Sequence, residues 1–145
     1  MIASNDNIEV ANQKLKILFV DDEPLVLQSI KRALRNENYQ ILTATSAKEG
    51  MDQLIKHSAH LVVSDFLMPA VNGSEFLSYV KQFFPNTIRV ILTGCMKIPS
   101  FKSDIDTSDA SFIMAKPWRN DQLREKIREA LDFYFVKKSL RTMNK

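Results

Sequence analysis

From Lys16 onward the chain alternates short, continuous apolar runs with longer stretches whose apolar positions recur every three or four residues. Such alternation is the mark of βαβ units and a parallel sheet. Five strands are predicted, over residues 16–20, 40–44, 61–64, 89–92 and 111–115. The first, third and fourth each carry a continuous apolar run, as central strands covered on both faces must. Gln40-Ile41-Leu42-Thr43 is mixed and reads as an edge.

Helices fit between these strands. Pro24 suits the first turn of the first helix, with Val26, Ile30, Ala33 and Leu34 as its core stripe. Ser46, with Glu49 three residues later, is a candidate N-cap for a second helix that buries Ala47, Met51, Leu54 and Ile55. Phe76, Leu77, Val80, Phe83 and Phe84 give the third a core face, which Pro85 ends. Between Thr93 and Ser111 only Ile98, Phe101 and Ile105 interrupt a polar stretch containing Pro99, so a short or frayed helix is expected there. The last helix starts near Asp121 and turns Leu123, Ile127, Ala130, Leu131 and Tyr134 to the core. Beyond Leu131 a separate set, Phe133, Val136, Leu140 and Met143, is spaced three, four and three. That is a coiled-coil seam off the core stripe, suited to a partner protomer in a homodimer or to a lead into an output domain. The organisation is therefore a flexible lead-in (1–13), one α/β domain (14–131) and a helical extension or linker (132–145).

Composition narrows the classes. With 145 residues, 45% of them hydrophobic, one domain with a real core is expected. No run approaches the roughly 20 apolar residues that cross a bilayer, and the start (Asn5, Asp6, Asn7, Glu9) lacks the basic-then-apolar order of a signal peptide. The reading is a cytoplasmic protein with no membrane partner. The lone Cys95, with only His57 and His60 beside it, offers neither an internal disulfide nor a zinc set. The net charge of +3 is a property of the tail, because residues 116–145 carry a net +5 and residues 1–115 a net −2. No recognisable reading element accompanies those basic residues, so no direct nucleic-acid binding is expected.

The chemistry sits at the ends of the strands. In open α/β sheets the ligand crevice lies outside the carboxyl ends, which here carry Asp21-Asp22, Asp65, Thr93 and Lys116. With the first and third strands adjacent, three carboxylates share a crevice, repel one another and call for a hard cation; oxygen ligands without a dedicated cage favour Mg²⁺. Asp65 is the candidate nucleophile for an aspartyl-phosphate, Lys116 supplies a point charge to one phosphoryl oxygen, and Thr93 supplies a hydroxyl to another. Alone, an acidic pair is more often a solvated helix start, and a Lys before Pro a surface residue; only the combination makes a site. The methionines read as gap-fillers, His57 and His60 as residues of a solvated loop, and Trp118 as packing over the start of the last helix. An aspartate-nucleophile phosphatase would need an acid where Leu67 stands. Three glycines (Gly50, Gly73, Gly94) build neither a P-loop nor a dinucleotide-binding turn.

These residues resemble the receiver domain of bacterial two-component response regulators over roughly residues 15–131. The likeness rests on Asp21-Asp22, on Ser64-Asp65-Phe66-Leu67-Met68-Pro69 with Gly73 eight residues after the aspartate, on Leu92-Thr93-Gly94, and on Lys116-Pro117-Trp118. It implies a flavodoxin-like, five-stranded parallel sheet in the order 2-1-3-4-5 with helices on both faces and an extended C-terminal helix. It also implies phosphorylation of Asp65 by a sensor histidine kinase or phosphotransfer protein. Mg²⁺ would be bound by Asp22, Asp65 and the Leu67 carbonyl, with Asp21 helping through water, and the Lys116-Pro117 bond would be cis. The domain would be a signalling phosphoacceptor rather than an enzyme. The Leu-Thr-Gly and Lys-Pro-Trp variants resemble receivers that precede output domains such as cyclic-di-nucleotide enzymes. The rival reading is a receiver-shaped interaction module that ignores phosphate. One departure stands out: Ile113 replaces the aromatic residue usual three positions before the lysine, and alternation along the strand turns Phe112 to the other face. The switch is then expected to run through Thr93 and the short fourth helix, by packing of Ile113 and Phe101.

Overall fold

A computed structural model describes residues 14–94 and 110–143, and the following statements concern those residues. The elements run β1 (Leu15–Val20), α1 (Pro24–Ala33), β2 (Tyr39–Ala44), α2 (Ala47–His57), β3 (Leu61–Asp65), α3 (Gly73–Phe83), β4 (Ile88–Thr93), β5 (Phe112–Ala115) and α4 (Asn120–Met143). Each strand lies within a residue or so of its predicted span. The stretch between Gly94 and Ala110, with its expected helix, and the lead-in 1–13 lie outside the described residues.

All strand pairs are parallel and the order is β2-β1-β3-β4-β5. β2 is an edge, as its mixed composition predicts. Alternation along β1 separates two cores: Ile17 and Phe19 point to the face covered by α1 and α4, Leu18 and Val20 to the face covered by α2 and α3. Leu27, Ile30, Leu123, Ile127 and Leu131 close the first core, and Leu54, Phe76, Leu77 and Val80 the second. Burying each such side chain contributes about 2 kcal/mol before conformational entropy is subtracted.

Helix starts follow local chemistry. Glu49 N–H donates to the Ser46 hydroxyl at 3.1 Å, while the Glu49 carboxylate accepts from the Thr45 hydroxyl at 2.8 Å and its N–H at 3.2 Å. This is a capping box closed one residue earlier than usual. Asn72 caps α3 in the same way through Glu75 N–H, 2.9 Å.

Several predicted core faces are corrected. In α1 Leu27 joins Ile30 and Ala33 on the buried face, while Val26 is only partly covered. Ile55 of α2 and Phe83 of α3 are exposed, since each helix meets one sheet face and these positions lie beyond its narrow contact stripe. His60 is no solvated loop residue. Its Nδ1 accepts Lys16 N–H at 3.0 Å, and its ring meets Tyr134 edge-on at 5.1 Å. Phe133, assigned to the seam, also packs edge-on against Phe112 at 5.2 Å, so the seam begins at the margin of the core. No helix among the described residues is long and apolar enough to cross a membrane.

Candidate functional site

Strand register builds the site. Val20 is level with Ser64, so the next residues, Asp21 and Asp65, emerge side by side from β1 and β3. Asp65 is level with Leu92, and Thr93 with Ala115, which delivers Lys116 one residue past the end of β5. The Lys116 backbone N–H donates to the Thr93 carbonyl at 2.8 Å, extending the ladder to the rim. The Lys116-Pro117 bond is cis.

The side chains converge. Asp21, Asp22 and Asp65 each offer a carboxylate oxygen within 4.8 Å of the others. Asp21 and Asp65 are 2% and 8% exposed, while Asp22 faces solvent. The Lys116 ammonium stands 2.9 Å from Asp21 Oδ2 and 3.3 Å from Asp65 Oδ1. The other Asp21 oxygen accepts Glu23 N–H at 2.9 Å, which fixes the acidic loop at the point where Pro24 starts α1. Sequence reasoning missed this partner because the bond is made by backbone. Thr93 is buried at the end of β4, and Leu67 sits on the exposed loop two residues past Asp65.

Gly73 locks that loop. Its N–H donates to the Phe66 carbonyl at 2.8 Å, and a Cβ built on it would stand 2.2 Å from the Asp65 carbonyl oxygen. Only a residue without a side chain allows α3 to begin so close to the end of β3.

Electrostatics follow from the crowding. Burial pushes the Asp65 carboxyl above its ordinary value; Lys116 opposes the rise and Asp21 adds to it. Burial alone would lower the Lys116 ammonium, but its hydrogen bond to Asp21 and the charges of Asp65 and Asp21 outweigh that and hold it above the usual lysine range. Three carboxylates and one ammonium leave two negative charges, the amount one divalent cation balances. The donors are all hard oxygens, so the set fits Mg²⁺ and suits no soft metal.

Around the rim, Ile113, Met114, Pro117, Trp118 and Leu123 line a cavity of about 410 Å³. Ile113 is exposed at its edge, whereas Phe112 points to the opposite core, as alternation requires. The expected packing partner Phe101 lies outside the described residues.

The sequence matches the response regulator receiver domain family over residues 17–128. The hydrogenase transcriptional regulatory protein HoxA of Bradyrhizobium diazoefficiens is 29% identical over 126 residues, which cover 87% of this chain and 26% of that protein. The chain thus spans about a quarter of the length of that relative. The signal receiver domain of an HD domain-containing protein from Pseudomonas fluorescens superposes with a TM-score of 0.79 at 26% identity, covering 86% of this chain and 99% of that one. A CheY-like receiver domain protein from Methanospirillum hungatei gives 0.78 at 27% identity, with the same coverage.

Proposed function

Because the chain belongs to the response regulator receiver domain family, we propose that it accepts a phosphoryl group on Asp65 from a phosphohistidine of a sensor kinase or phosphotransfer protein. The observation that carries this reading is the ammonium of Lys116 held between Asp21 and Asp65, beside a third carboxylate. An Asp65 oxygen adds its electron pair to phosphorus, the phosphorus–nitrogen bond of the donor breaks, and that pair leaves on the imidazole. Lys116 then exchanges carboxylate contacts for a phosphoryl oxygen, and the Thr93 hydroxyl serves a second one. Asp22, Asp65 and the Leu67 carbonyl would hold Mg²⁺ directly, with Asp21 acting through water; the ion supplies charge neutralisation for a phosphoryl oxygen. The work is positioning and charge, so the domain signals rather than turning over a substrate, in the cytoplasm where kinase donors act. The output is assigned to a partner or an appended domain, a cyclic-di-nucleotide enzyme being the form suggested by the Leu92-Thr93-Gly94 and Lys116-Pro117-Trp118 variants.

Incubation with acetyl phosphate and Mg²⁺, followed by intact-mass measurement, tests the assignment. One phosphoryl increment is expected on the native chain and none on Asp65→Asn or in the presence of a chelator. An unmodified native chain would leave the phosphate-independent interaction module as the better reading.

A further inference from the structure

A second cavity opens at the amino ends of β3 and β4, at the end of the sheet opposite the acidic cluster. Its volume is about 340 Å³, and His60, Phe83, Phe84, Pro85, Asn86 and Tyr134 line it. Phe83 is 61% exposed although Leu77 and Val80 of the same helix are fully buried, so the core leaves an aromatic wall uncovered. The mouth of this notch is electropositive. On α4 the line Ile127, Leu131 and Tyr134 continues in steps of four and three through Lys138 and Arg141, which puts two cations on the helix line that meets His60. Lys16 stands on the other side, its ammonium donating to the His57 carbonyl at 2.9 Å. We propose that Asp6-Asn7-Ile8-Glu9-Val10 of the same chain docks in this notch, with Ile8 and Val10 on the aromatic wall and Asp6 and Glu9 toward the cationic mouth. This inference goes beyond the phosphoacceptor reading and does not depend on it.

The choice of occupant rests on the tether and on charge. β1 enters the sheet directly beside the notch, since Lys16 N–H donates to His60 Nδ1 at 3.0 Å and His60 N–H to the Lys16 carbonyl at 2.9 Å. Val10 precedes Lys14 by four residues, a reach of up to ~14 Å. β4 lies two strands across from β1, about 10 Å away, so Val10 can reach the Phe84-Pro85-Asn86 wall. Residues 1–13 carry Asp6 and Glu9 and no Lys or Arg, whereas the mouth presents Lys16, Lys138 and Arg141. Burial, then the charges of Lys16 and Lys138, hold the His60 imidazole below its ordinary value, which marks the mouth as favourable to carboxylates. Exposed ion pairs contribute little singly, so burial of Ile8 and Val10 supplies most of the attraction and the charges set its direction. A short tether holds the segment at a high effective concentration, so a contact too weak for a separate partner is enough here.

The test uses the full chain, without phosphodonor or Mg²⁺, in a Cys95→Ser background. Under mild oxidation V10C paired with N86C is expected to close a disulfide within one chain at least five-fold faster than V10C paired with K56C. Lys56 is exposed at the same end of the domain, next to the His57 carbonyl that Lys16 holds, but lies outside the notch. Glu9→Lys or Lys138→Glu alone should slow the V10C and N86C closure several-fold, and the two together should restore it. Intact mass and a non-reducing gel read closure and separate it from disulfides between chains. Equal rates for the two cysteine pairs, disulfides formed only between chains, or a charge-swapped chain as slow as the single variants would overturn the proposal. Circular dichroism confirms that each variant remains folded.

Discussion

The α-carbon of Gly73 sits so close to the backbone of Asp65 that a methyl group added there would meet the Asp65 carbonyl oxygen at 2.2 Å. The obstacle is backbone, which cannot rotate away as a side chain would. The start of α3 thus sets the exit path of the residue that carries the proposed chemistry. Gly73→Ala should lose about 2 kcal/mol or more of stability, the scale of an overpacked core. Urea unfolding measures the loss, and phosphorylation by acetyl phosphate should fall with it because the Asp65 loop shifts.

Asp65→Asn should stabilise the metal-free protein at neutral pH by about 1 kcal/mol, since it removes a buried charge that faces Asp21. The sign follows from protons bound. The raised pKa of Asp65 means that, above the ordinary value of 3.8, the folded chain holds a proton that the unfolded chain has released. Ionising Asp65 therefore costs stability as pH rises from that value through the raised one, and the cost persists at pH 7. Thermal unfolding of the two chains at pH 4 and pH 7 should show the advantage of the asparagine only at the higher pH.

His60 has the opposite pH signature. Burial, then the nearby charges of Lys16 and Lys138, pull its pKa below 6.5. The groups facing it are Lys16 on β1 and Tyr134 and Lys138 on α4. In the window below pH 6.5 the unfolded chain takes up the proton first, so stability is full above that value and declines as pH falls through the lowered one. His60→Phe should flatten the decline between pH 7 and pH 5, at a fixed cost of about 1 kcal/mol for the unmet Lys16 N–H.

Mg²⁺ should raise the unfolding temperature of the native chain, the gain reaching about 2.7 kcal/mol at a hundredfold excess over the dissociation constant. Asp22 is exposed and carries none of the core, so Asp22→Asn should fold normally and lose most of that gain. Differential scanning fluorimetry with and without Mg²⁺ reads both effects.

The local pattern alone determined the strands, their parallel arrangement, the Ser46 cap and the identity of the converging residues. Each rests on neighbours in sequence: continuous apolar runs, a hydroxyl three residues before a glutamate, charges just past strand ends. Tertiary structure decided what depends on distant partners. It chose Leu27 over Val26, left Ile55 and Phe83 in solvent, and drew His60 into a contact joining β1 to α4, because burial is settled by which surface lies opposite rather than by periodicity. It also set Lys116 between Asp21 and Asp65, a placement fixed by the register of four neighbouring strands and spanning 95 positions of chain. The sequence named the members of that cluster; hydrogen-bonded register, which no single segment encodes, supplied the distances that let them act together.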